Sequence, residues 1–422
     1  MRGKIKVAVM NCNEVIDYIG KIPKFCYPLG NEQLTGLLSL MGNPEKKLRF
    51  IHIVGTNGKG SAAAMLGEIL KRAGYRTGVF TSPYIRRFNE RIAANGAPIA
   101  DGELADEVGY AAELCEKNGI SVSQFAFILA CALHYYEKIG CDAVVLEAGM
   151  GGRLDATNVI TESLVTMIMS VGLDHTEYLG DTKEKIAAEK CGVIKPGGTV
   201  IAAENSPEVM RVIADFCARR GARLVCAPKS AKTPDGFAAV GTEYRLSLAG
   251  EFQAQNAAAV LAAVGALREK GMQIPESAVC EGFAGCRHSA RFERAEERMI
   301  VDGAHNPDGI RALCRSLDKI SGRKVAVLAM MQDKAVSECV AALAASVDAA
   351  VVCALDMPRC MSAAELAKAC AEKGLACEPA PDVTAAIEAA RAAAGDGTVI
   401  VCGSLYLAGE TLRILDKKIS GG

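Results

Sequence analysis

Runs of apolar, strand-like residues alternate with stretches of helical periodicity along most of the chain. In the first part the strand-like runs are residues 50–54, 78–82, 142–148, 164–171 and 199–203. Helical patterns lie between them, including residues 62–74 and the uncharged stretch 122–136. Apolar strands separated by helices are typical of an α/β fold with a mostly parallel sheet. We therefore predict this fold class.

The alternating pattern lapses once, in a polar and Arg-rich segment at residues 281–298. A second α/β series follows, in which Ala-rich helices separate strand-like runs at residues 300–304, 324–330, 349–355 and 398–404. A chain of 422 residues exceeds the ~100–200 residues of one ordinary domain. We predict a larger N-terminal domain at residues 1–289 and a smaller C-terminal domain at residues 290–422.

The charge balance argues against broad binding to polyanions. The chain has 48 Lys and Arg against 49 Asp and Glu, and half of its residues are hydrophobic. A net charge of −1 does not suit a surface for nucleic acid or anionic lipid, although a local basic pocket stays compatible with it. The uncharged run 122–136 is too short to span a bilayer. We expect neither nucleic acid nor membrane among the partners.

Seventeen Cys raise the question of disulfides or metal sites. The count is odd and no C-x-x-C occurs, while Cys353 and Cys402 lie inside strand-like runs where Cys acts as a small buried hydrophobe. We expect core-filling thiols in a reducing compartment. Residues 1–20 lack a secretory apolar stretch, so the cytoplasm is the predicted location.

The segment Gly55-Thr56-Asn57-Gly58-Lys59-Gly60-Ser61 joins a predicted strand to a predicted helix. Glycines let backbone N–H groups curl around phosphate oxygens, and Lys59 adds a positive charge at the helix N-terminus. The segment departs from G-x-x-x-x-G-K-[ST], because Ile53 replaces the first Gly and Gly60 stands where a hydroxyl usually binds Mg²⁺. It predicts a phosphate-binding loop whose metal has other ligands. The alternative is a glycine turn with a solvated Lys.

Three polar side chains lie at the ends of later strands, where α/β folds place their sites. They are Ser82, Glu147 and His175. Oxygen ligands with one imidazole suit Mg²⁺ at ATP phosphates. Taken singly, Ser82 also reads as a helix N-cap, Glu147 as a paired buried acid and His175 as a core histidine; their joint placement favours the metal site.

Several blocks together resemble the folylpolyglutamate synthase / dihydrofolate synthase family within the Mur ligase group. They are IHIVGTNGKGS, TSPYIRRFNERI, LEAGMGGRLDATNVI, GLDHTEYLGDTKEKIAAEKCGVIKPG and DGAHNP, in a resemblance that runs from residue 27 to residue 410. The resemblance implies a P-loop domain of the Mur ligase central type, followed by a Rossmann-like domain that binds glutamate. It also implies a monomer.

The resemblance assigns roles to residues at matching motif positions. It implies that Lys59 and the 55–61 backbone hold phosphates, that Ser82, Glu147 and His175 bind Mg²⁺, and that Lys190 is carbamylated, as in many relatives. A carbamate would turn a cation into a metal-binding anion; the alternative is a surface helix lysine. The remaining implied contacts are Asn256, Arg291, Asp302 and His305 for ATP and Ser404 for glutamate, where Ser404 also reads as a strand-terminating turn and Arg291 as an exposed linker residue.

The implied activity is an ATP-dependent ligase that adds L-glutamate to a reduced folate, and to dihydropteroate in a bifunctional enzyme, through an acyl phosphate. Two blocks depart from the family pattern. Residues 121–124 read SVSQ in place of a Thr-x-Phe-Glu type segment, and residues 286–291 replace Trp-Pro-Gly-Arg with a block ending in Ser289, Ala290 and Arg291. Two alternatives stay open: a Mur-type ligase for a non-folate carboxylate, and a non-catalytic nucleotide-binding regulator.

Overall fold

The computed structural model describes residues 12–24 and 30–420. Residues 1–11, on which the predicted location partly rests, and residues 27–29, where the family resemblance begins, lie outside the described residues. The chain divides into two compact units. Unit 1 comprises residues up to 171, 184–229 and 256–285, and unit 2 comprises residues 172–183, 230–255 and 286 onward.

The helices of the described chain are, in order, α1 Cys12–Lys21, α2 Glu32–Leu40, α3 Lys59–Arg72, α4 Asp101–Asn118, α5 Gln124–Lys138, α6 Thr176–Leu179, α7 Lys183–Cys191, α8 Pro207–Arg220, α9 Phe252–Glu269, α10 Glu276–Gly285, α11 Pro307–Leu317, α12 Val336–Ala344, α13 Ala363–Glu372, α14 Val383–Ala394 and α15 Leu405–Ser420. Short 3₁₀ helices span Pro44–Lys46, Phe88–Arg91 and Ala156–Val159.

The strands are β1 Phe50–Val54, β2 Thr77–Phe80, β3 Ile92–Ala94, β4 Ala97–Pro98, β5 Ala143–Glu147, β6 Val165–Ile168, β7 Thr199–Ala202, β8 Arg223–Cys226, β9 Ser230–Thr233, β10 Gly236–Ala239, β11 Thr242–Arg245, β12 Glu293–Glu296, β13 Met299–Val301, β14 Lys324–Leu328, β15 Ala349–Val352, β16 Cys377–Pro379 and β17 Thr398–Cys402.

Unit 1 is built on an eight-stranded sheet in the order β4-β3-β2-β5-β1-β6-β7-β8. The strands from β2 to β8 in that order pair in parallel, and β3 and β4 add an antiparallel edge. β1 is central and every one of its residues is buried. Because these strands are parallel, the loops after β1, β2 and β5 lie at the same edge of the sheet. In open parallel sheets, ligands bind at this edge, beyond the carboxyl ends of the strands.

Helix α5 forms much of the core of unit 1. The uncharged run predicted as a helix becomes α5, and residues from Ala126 to Tyr136 are mostly buried in one apolar cluster with α1, α2 and α4. No helix in the described ranges is both long and apolar enough to cross a membrane.

Unit 2 contains a six-stranded sheet in the order β12-β13-β17-β14-β15-β16. All pairs in it are parallel except β12 with β13. A separate three-stranded antiparallel sheet joins β9, β10 and β11. The core of the larger sheet includes the buried side chains of Cys314, Cys339, Cys370 and Cys402. The described cysteines are free thiols, and most fill cores as the sequence predicted.

The α/β prediction is confirmed in both series of strands. The predicted division into contiguous domains at residues 289 and 290 stays a prediction. In the compact units, residues 172–183 and 230–255 group with the C-terminal part of the chain, which a pattern of strands and helices along the sequence does not reveal.

Candidate active site

The loop between β1 and α3 has the shape of a phosphate cradle. Gly58 takes the N-cap position of α3 with φ 86°, a left-handed conformation that favours glycine. A Cβ at Gly58 would lie 2.4 Å from Asn256 Oδ1. The absence of a side chain therefore lets α9, which carries Asn256, approach the loop. Asn256 is buried and lies against this loop, while its implied contact with ATP stays a prediction.

Two lysine ammonium groups reach the same loop carbonyl. Lys59 Nζ donates to Gly55 O at 3.1 Å and to Thr56 O at 3.2 Å, and Lys190 Nζ donates to Gly55 O at 2.9 Å. Lys190 lies in α7 and is only 3 % exposed, so it is not a surface helix lysine. Positive charge is thus concentrated on the backbone of the predicted phosphate-binding loop.

The other side of the loop is hydrogen-bonded to the segment that follows β6. The backbone N–H groups of Thr56 and Asn57 both donate to Ser170 O, at 2.7 and 3.2 Å. Ser61, in the first turn of α3, is buried. The loop is therefore held in one conformation before any ligand binds.

Glu147 and Ser82 meet at the carboxyl ends of β5 and β2. Glu147 is 4 % exposed, and its Oε2 accepts from the Ser82 backbone N–H at 3.2 Å. β2 ends at Phe80, so the predicted strand 78–82 leaves the sheet early and Ser82 lies in the following loop. The structure thus brings together two of the three predicted metal ligands.

His175, the third predicted ligand, belongs to unit 2. It precedes α6 in a left-handed conformation, with φ 50° and ψ 42°. Its backbone N–H donates to Asp174 Oδ1 at 2.9 Å. No cluster of three or more His, Cys, Asp or Glu side chains suited to a metal occurs in the part of the chain that the structure describes.

Asp174 is the centre of a polar cluster that the sequence did not reveal. Its Oδ1 accepts from Lys334 Nζ at 2.6 Å, its Oδ2 accepts from Asn306 Nδ2 at 3.1 Å, and His305 Nε2 lies 3.6 Å from Oδ2. Burial favours a raised pKa, but hydrogen bonding from His305 and the charges of His175 and Lys334 outweigh it and hold the pKa of Asp174 well below its usual range. Asp174 is therefore ionised.

Asp302 shapes the turn after β13. Its carboxylate accepts from the backbone N–H groups of Phe292 at 2.7 Å and Ala304 at 2.8 Å. Burial raises the pKa of Asp302 against the nearby positive charge of Arg291. His305 Nδ1 donates to Gly303 O at 2.8 Å, which turns Nε2 toward Asp174. Asp302 and His305 thus stand on one ordered loop, with Arg291 beside it.

Ser404 follows β17 and is 1 % exposed. Its Oγ accepts from the Tyr406 backbone N–H at 3.1 Å, so it caps the start of α15. This contact supports the interpretation of Ser404 as part of a strand-terminating turn. Its role in binding glutamate stays a prediction.

The two departures from the family pattern have local structural roles. Gln124 donates through its backbone N–H to Pro23 O and through Nε2 to Ile19 O, each at 2.8 Å, so residues 121–124 tie α1 to α5. In the second departure, Ala290 has φ 56° at the place where the family pattern has Gly.

Known proteins resemble this chain over nearly its whole length. Residues 53–264 match the Mur ligase middle domain, and residues 290–405 match the Mur ligase glutamate ligase domain. Dihydrofolate synthase/folylpolyglutamate synthase of Bacillus subtilis is 34 % identical over 417 residues, which cover 93 % of this chain and 96 % of the relative. The protein of the same name from Escherichia coli is 32 % identical, with 96 % of each chain covered.

Solved structures of folylpolyglutamate synthases are also similar to this chain. Mycobacterium tuberculosis folylpolyglutamate synthase complexed with ADP superposes with a TM-score of 0.88 at 29 % identity, covering 96 % of this chain and 98 % of the other. E. coli FolC in complex with DHPP and ADP also gives 0.88 at 29 % identity, covering 98 % and 99 %.

Proposed function

Because the chain belongs to the folylpolyglutamate synthase / dihydrofolate synthase family of Mur ligases, we infer that it is an ATP-dependent ligase that joins L-glutamate to a folate. The observation in the structure that carries this inference is the cradle after β1, where Lys59 and Lys190 both donate to Gly55 O. A glycine loop at a helix N-terminus, with the Lys59 cation beside it, suits the phosphates of ATP. The non-catalytic regulator and the non-folate ligase lose their support, since the resemblance spans both Mur ligase domains and the named relatives act on folates.

We propose Mg²⁺ as the metal, held by Ser82 and Glu147 and by His175. The donor set fits this ion, because Mg²⁺ in nucleotide enzymes takes one or two carboxylates and completes its shell with phosphate oxygens and water. Glu147 supplies a buried carboxylate next to Ser82. When bound, the ion would neutralise charge on the phosphoryl group that is transferred.

We propose that the Lys190 ammonium group loses one proton, and that the free Nζ amine then attacks CO₂ to form a carbamate with release of a second proton. The burial of Lys190 and its contact with Gly55 O support this assignment. A carbamate keeps one N–H for that hydrogen bond and gains a carboxylate, whereas an ammonium group has no lone pair for a metal.

The reaction follows from the weak acyl-donor character of a carboxylate. Transfer of the terminal phosphoryl group of ATP to the folate carboxylate gives an acyl phosphate and ADP, and attack by the glutamate amine then releases phosphate. We assign phosphate binding to the 55–61 loop and Lys59, further ATP contacts to Asn256, Arg291, Asp302 and His305, and glutamate binding to Ser404. The Lys59 ammonium would stabilise charge on the phosphoryl oxygens during transfer.

We propose a reduced folate as the acceptor, a monomeric enzyme and a cytoplasmic location. The free, mostly buried thiols suit a reducing compartment. Because relatives carry the names of both activities, dihydropteroate is the second candidate acceptor.

The test offers ATP, labelled glutamate and either tetrahydrofolate or dihydropteroate. Labelled product with tetrahydrofolate is expected. Product with dihydropteroate as well makes the enzyme bifunctional, and label in neither product contradicts the proposal.

A further inference from the structure

A chain of buried hydrogen bonds links the centre of β1 to the loop after Glu147. His52 lies in the middle of β1, opposite Leu146 on β5 and Thr166 on β6. His52 is fully buried, and its Nε2 lies 2.8 Å from Thr157 Oγ1. Thr157 Oγ1 in turn lies 2.5 Å from Asp155 Oδ1.

The direction of these hydrogen bonds can be deduced. A carboxylate only accepts, so the Thr157 hydroxyl donates to Asp155 and must accept from the His52 ring. The ring is therefore the Nε2–H tautomer. Its Nδ1 is buried without a hydrogen-bond partner, as expected for a bare nitrogen. Burial lowers the pKa of His52 to about 3, and the charge of Lys195 adds to this effect. The ring is thus a neutral donor.

The Asp155 carboxylate also forms hydrogen bonds with the loop at residues 148–152. Its Oδ1 also accepts from the Thr157 backbone N–H at 2.9 Å, and its Oδ2 accepts from the Met150 backbone N–H at 2.8 Å. Burial raises the pKa of Asp155, while the hydrogen bonds from the Thr157 hydroxyl and from the backbone oppose this shift. One buried carboxylate therefore holds, by hydrogen bonds, the backbone of the loop that begins directly after Glu147.

The same loop touches the segment that carries Lys190. A Cβ at Gly152 would lie 2.7 Å from Lys190 O, and one at Gly149 would lie 2.9 Å from the Phe125 ring. The Arg153 backbone N–H donates to Glu189 O at 2.8 Å. The loop is thus closely packed against Phe125 of α5 and against the Lys190 backbone of α7, and it begins directly after Glu147.

We propose that His52, Thr157 and Asp155 are positioning residues that fix the 148–152 loop and thereby hold Glu147 and Lys190 at the spacing needed to bind the metal. This inference rests on the proposed metal site. Hydrogen-bonded partners behind metal ligands commonly change metal affinity about 10–100-fold when removed.

The test measures Mn²⁺ binding in the presence of ADP by the loss of the free Mn²⁺ electron paramagnetic resonance signal. Thr157→Val removes the link between His52 and Asp155 while keeping the side-chain shape, and we expect the Kd for Mn²⁺ to rise about tenfold. Thr157→Ser restores the hydroxyl and should bind Mn²⁺ within about twofold of wild type. ADP affinity in EDTA should stay unchanged in both variants, because the phosphate loop keeps its own contacts.

Thr166→Val is the matched control. Thr166 is also buried and lies beside His52 in the sheet, but its hydroxyl pairs with Ser163 Oγ at 3.0 Å. This variant should bind Mn²⁺ as wild type does. If Thr157→Val does not fold, His52→Leu decides, since it removes only the ring donor and places an apolar side chain in a buried strand; a Kd raised at least about threefold is expected.

The outcomes separate this inference from the metal site itself. Glu147→Gln should weaken Mn²⁺ binding if the metal site is correct. Normal Mn²⁺ binding by Thr157→Val together with weak binding by Glu147→Gln overturns the positioning role and leaves the metal site standing. Normal binding by both variants overturns the metal site, and the positioning role falls with it.

Discussion

The Gly55 carbonyl accepts from two ammonium groups, Lys59 and Lys190. Two like charges this close repel each other, so the carbamate proposed at Lys190 would remove the repulsion and leave the Lys59 ammonium as the cation proposed to meet a phosphate. We expect Lys59→Ala to lower kcat/KM for ATP by about 10²–10³, as when one donor to a developing charge is lost. Steady-state glutamate incorporation measures this. Lys71→Ala is the control, because Lys71 lies in the same helix but is exposed and pairs with Glu68; equal kinetics in the two variants would contradict the assignment.

The neutral ring of His52 makes stability depend on pH. Its pKa falls from 6.5 in the unfolded chain to about 3 in the folded protein, so the unfolded state binds more protons between these values. The contribution to stability is complete above pH 6.5 and is lost as the pH falls toward 3. At about 1.4 kcal/mol per pH unit, roughly 2 kcal/mol is lost between pH 6.5 and pH 5. Urea unfolding at both pH values should show a smaller loss in His52→Leu, and an equal loss in that variant would exclude His52 as the source.

Which functional residues the sequence could predict depends on how far away their partners are. Lys59 and Glu147 follow strand-like runs within recognisable motifs, so local pattern suffices for them. Asp174 directly precedes His175, but its partner Lys334 lies 160 residues away. His52 and Thr157 are 105 residues apart, and a polar residue inside an apolar strand gives no sign of its partner. Such pairs can be identified only in the folded structure, where segments distant in sequence come into contact.

At the scale of elements, Asp174 ties the segment before α6 to the loops after β13 and β14. Removing one member of a buried ion pair leaves the other charge uncompensated, which costs about 3–5 kcal/mol. We expect losses of this size in the free energy of unfolding for Asp174→Asn and for Lys334→Met, and a double variant that loses clearly less than their sum. The exposed pair Arg223 and Glu269 should show no measurable coupling in the same cycle. Additive losses for Asp174 and Lys334 would refute the pairing.

The hairpin between β10 and β11 has a turn that its sequence does not favour. Val240 and Gly241 form the two-residue connection with φ 52° and 75°, the type I′ geometry in which Asn-Gly is preferred. Val240 is 78 % exposed, so no packing offsets the left-handed strain. Val240→Asn should raise the free energy of unfolding by about 1 kcal/mol, whereas Val240→Thr keeps the branched Cβ and should give no gain. Equal denaturation midpoints for the Val240→Asn variant and wild type would show that Val240 does not strain the turn.

The elements that the pattern predicted well are the buried ones. β1 and β5 match their predicted runs closely, because strands covered on both faces read as continuous apolar stretches. The edge strand β8 and the strands of the small antiparallel sheet were missed; they are short and at least partly exposed in most cases. Strands that face water do not need an apolar run, so hydrophobicity alone cannot find them.

For the whole molecule, the near-zero net charge fits an enzyme whose anionic substrates are small. In unit 1 a cation lies at the predicted phosphate-binding loop, where Lys59 Nζ donates to Gly55 O, whereas Lys334 in unit 2 is already neutralised by Asp174. ATP, glutamate and folate therefore meet a few placed charges, and a basic surface is not needed.

The order of bond making implies that ATP is consumed continuously only when both other substrates are present. The folate carboxylate must accept the phosphoryl group before ADP can leave as product, and the glutamate amine must then remove the acyl phosphate for turnover to continue. We expect ADP release to be slow with ATP alone or with ATP and glutamate, to stop after at most one equivalent per enzyme with ATP and tetrahydrofolate, and to become continuous with all three. A coupled ADP assay with rapid mixing distinguishes these cases, and Lys59→Ala should suppress both the single turnover and the continuous phase. Vigorous ADP release from ATP alone would show that water, not a folate carboxylate, is the acceptor, and would refute the proposed reaction order.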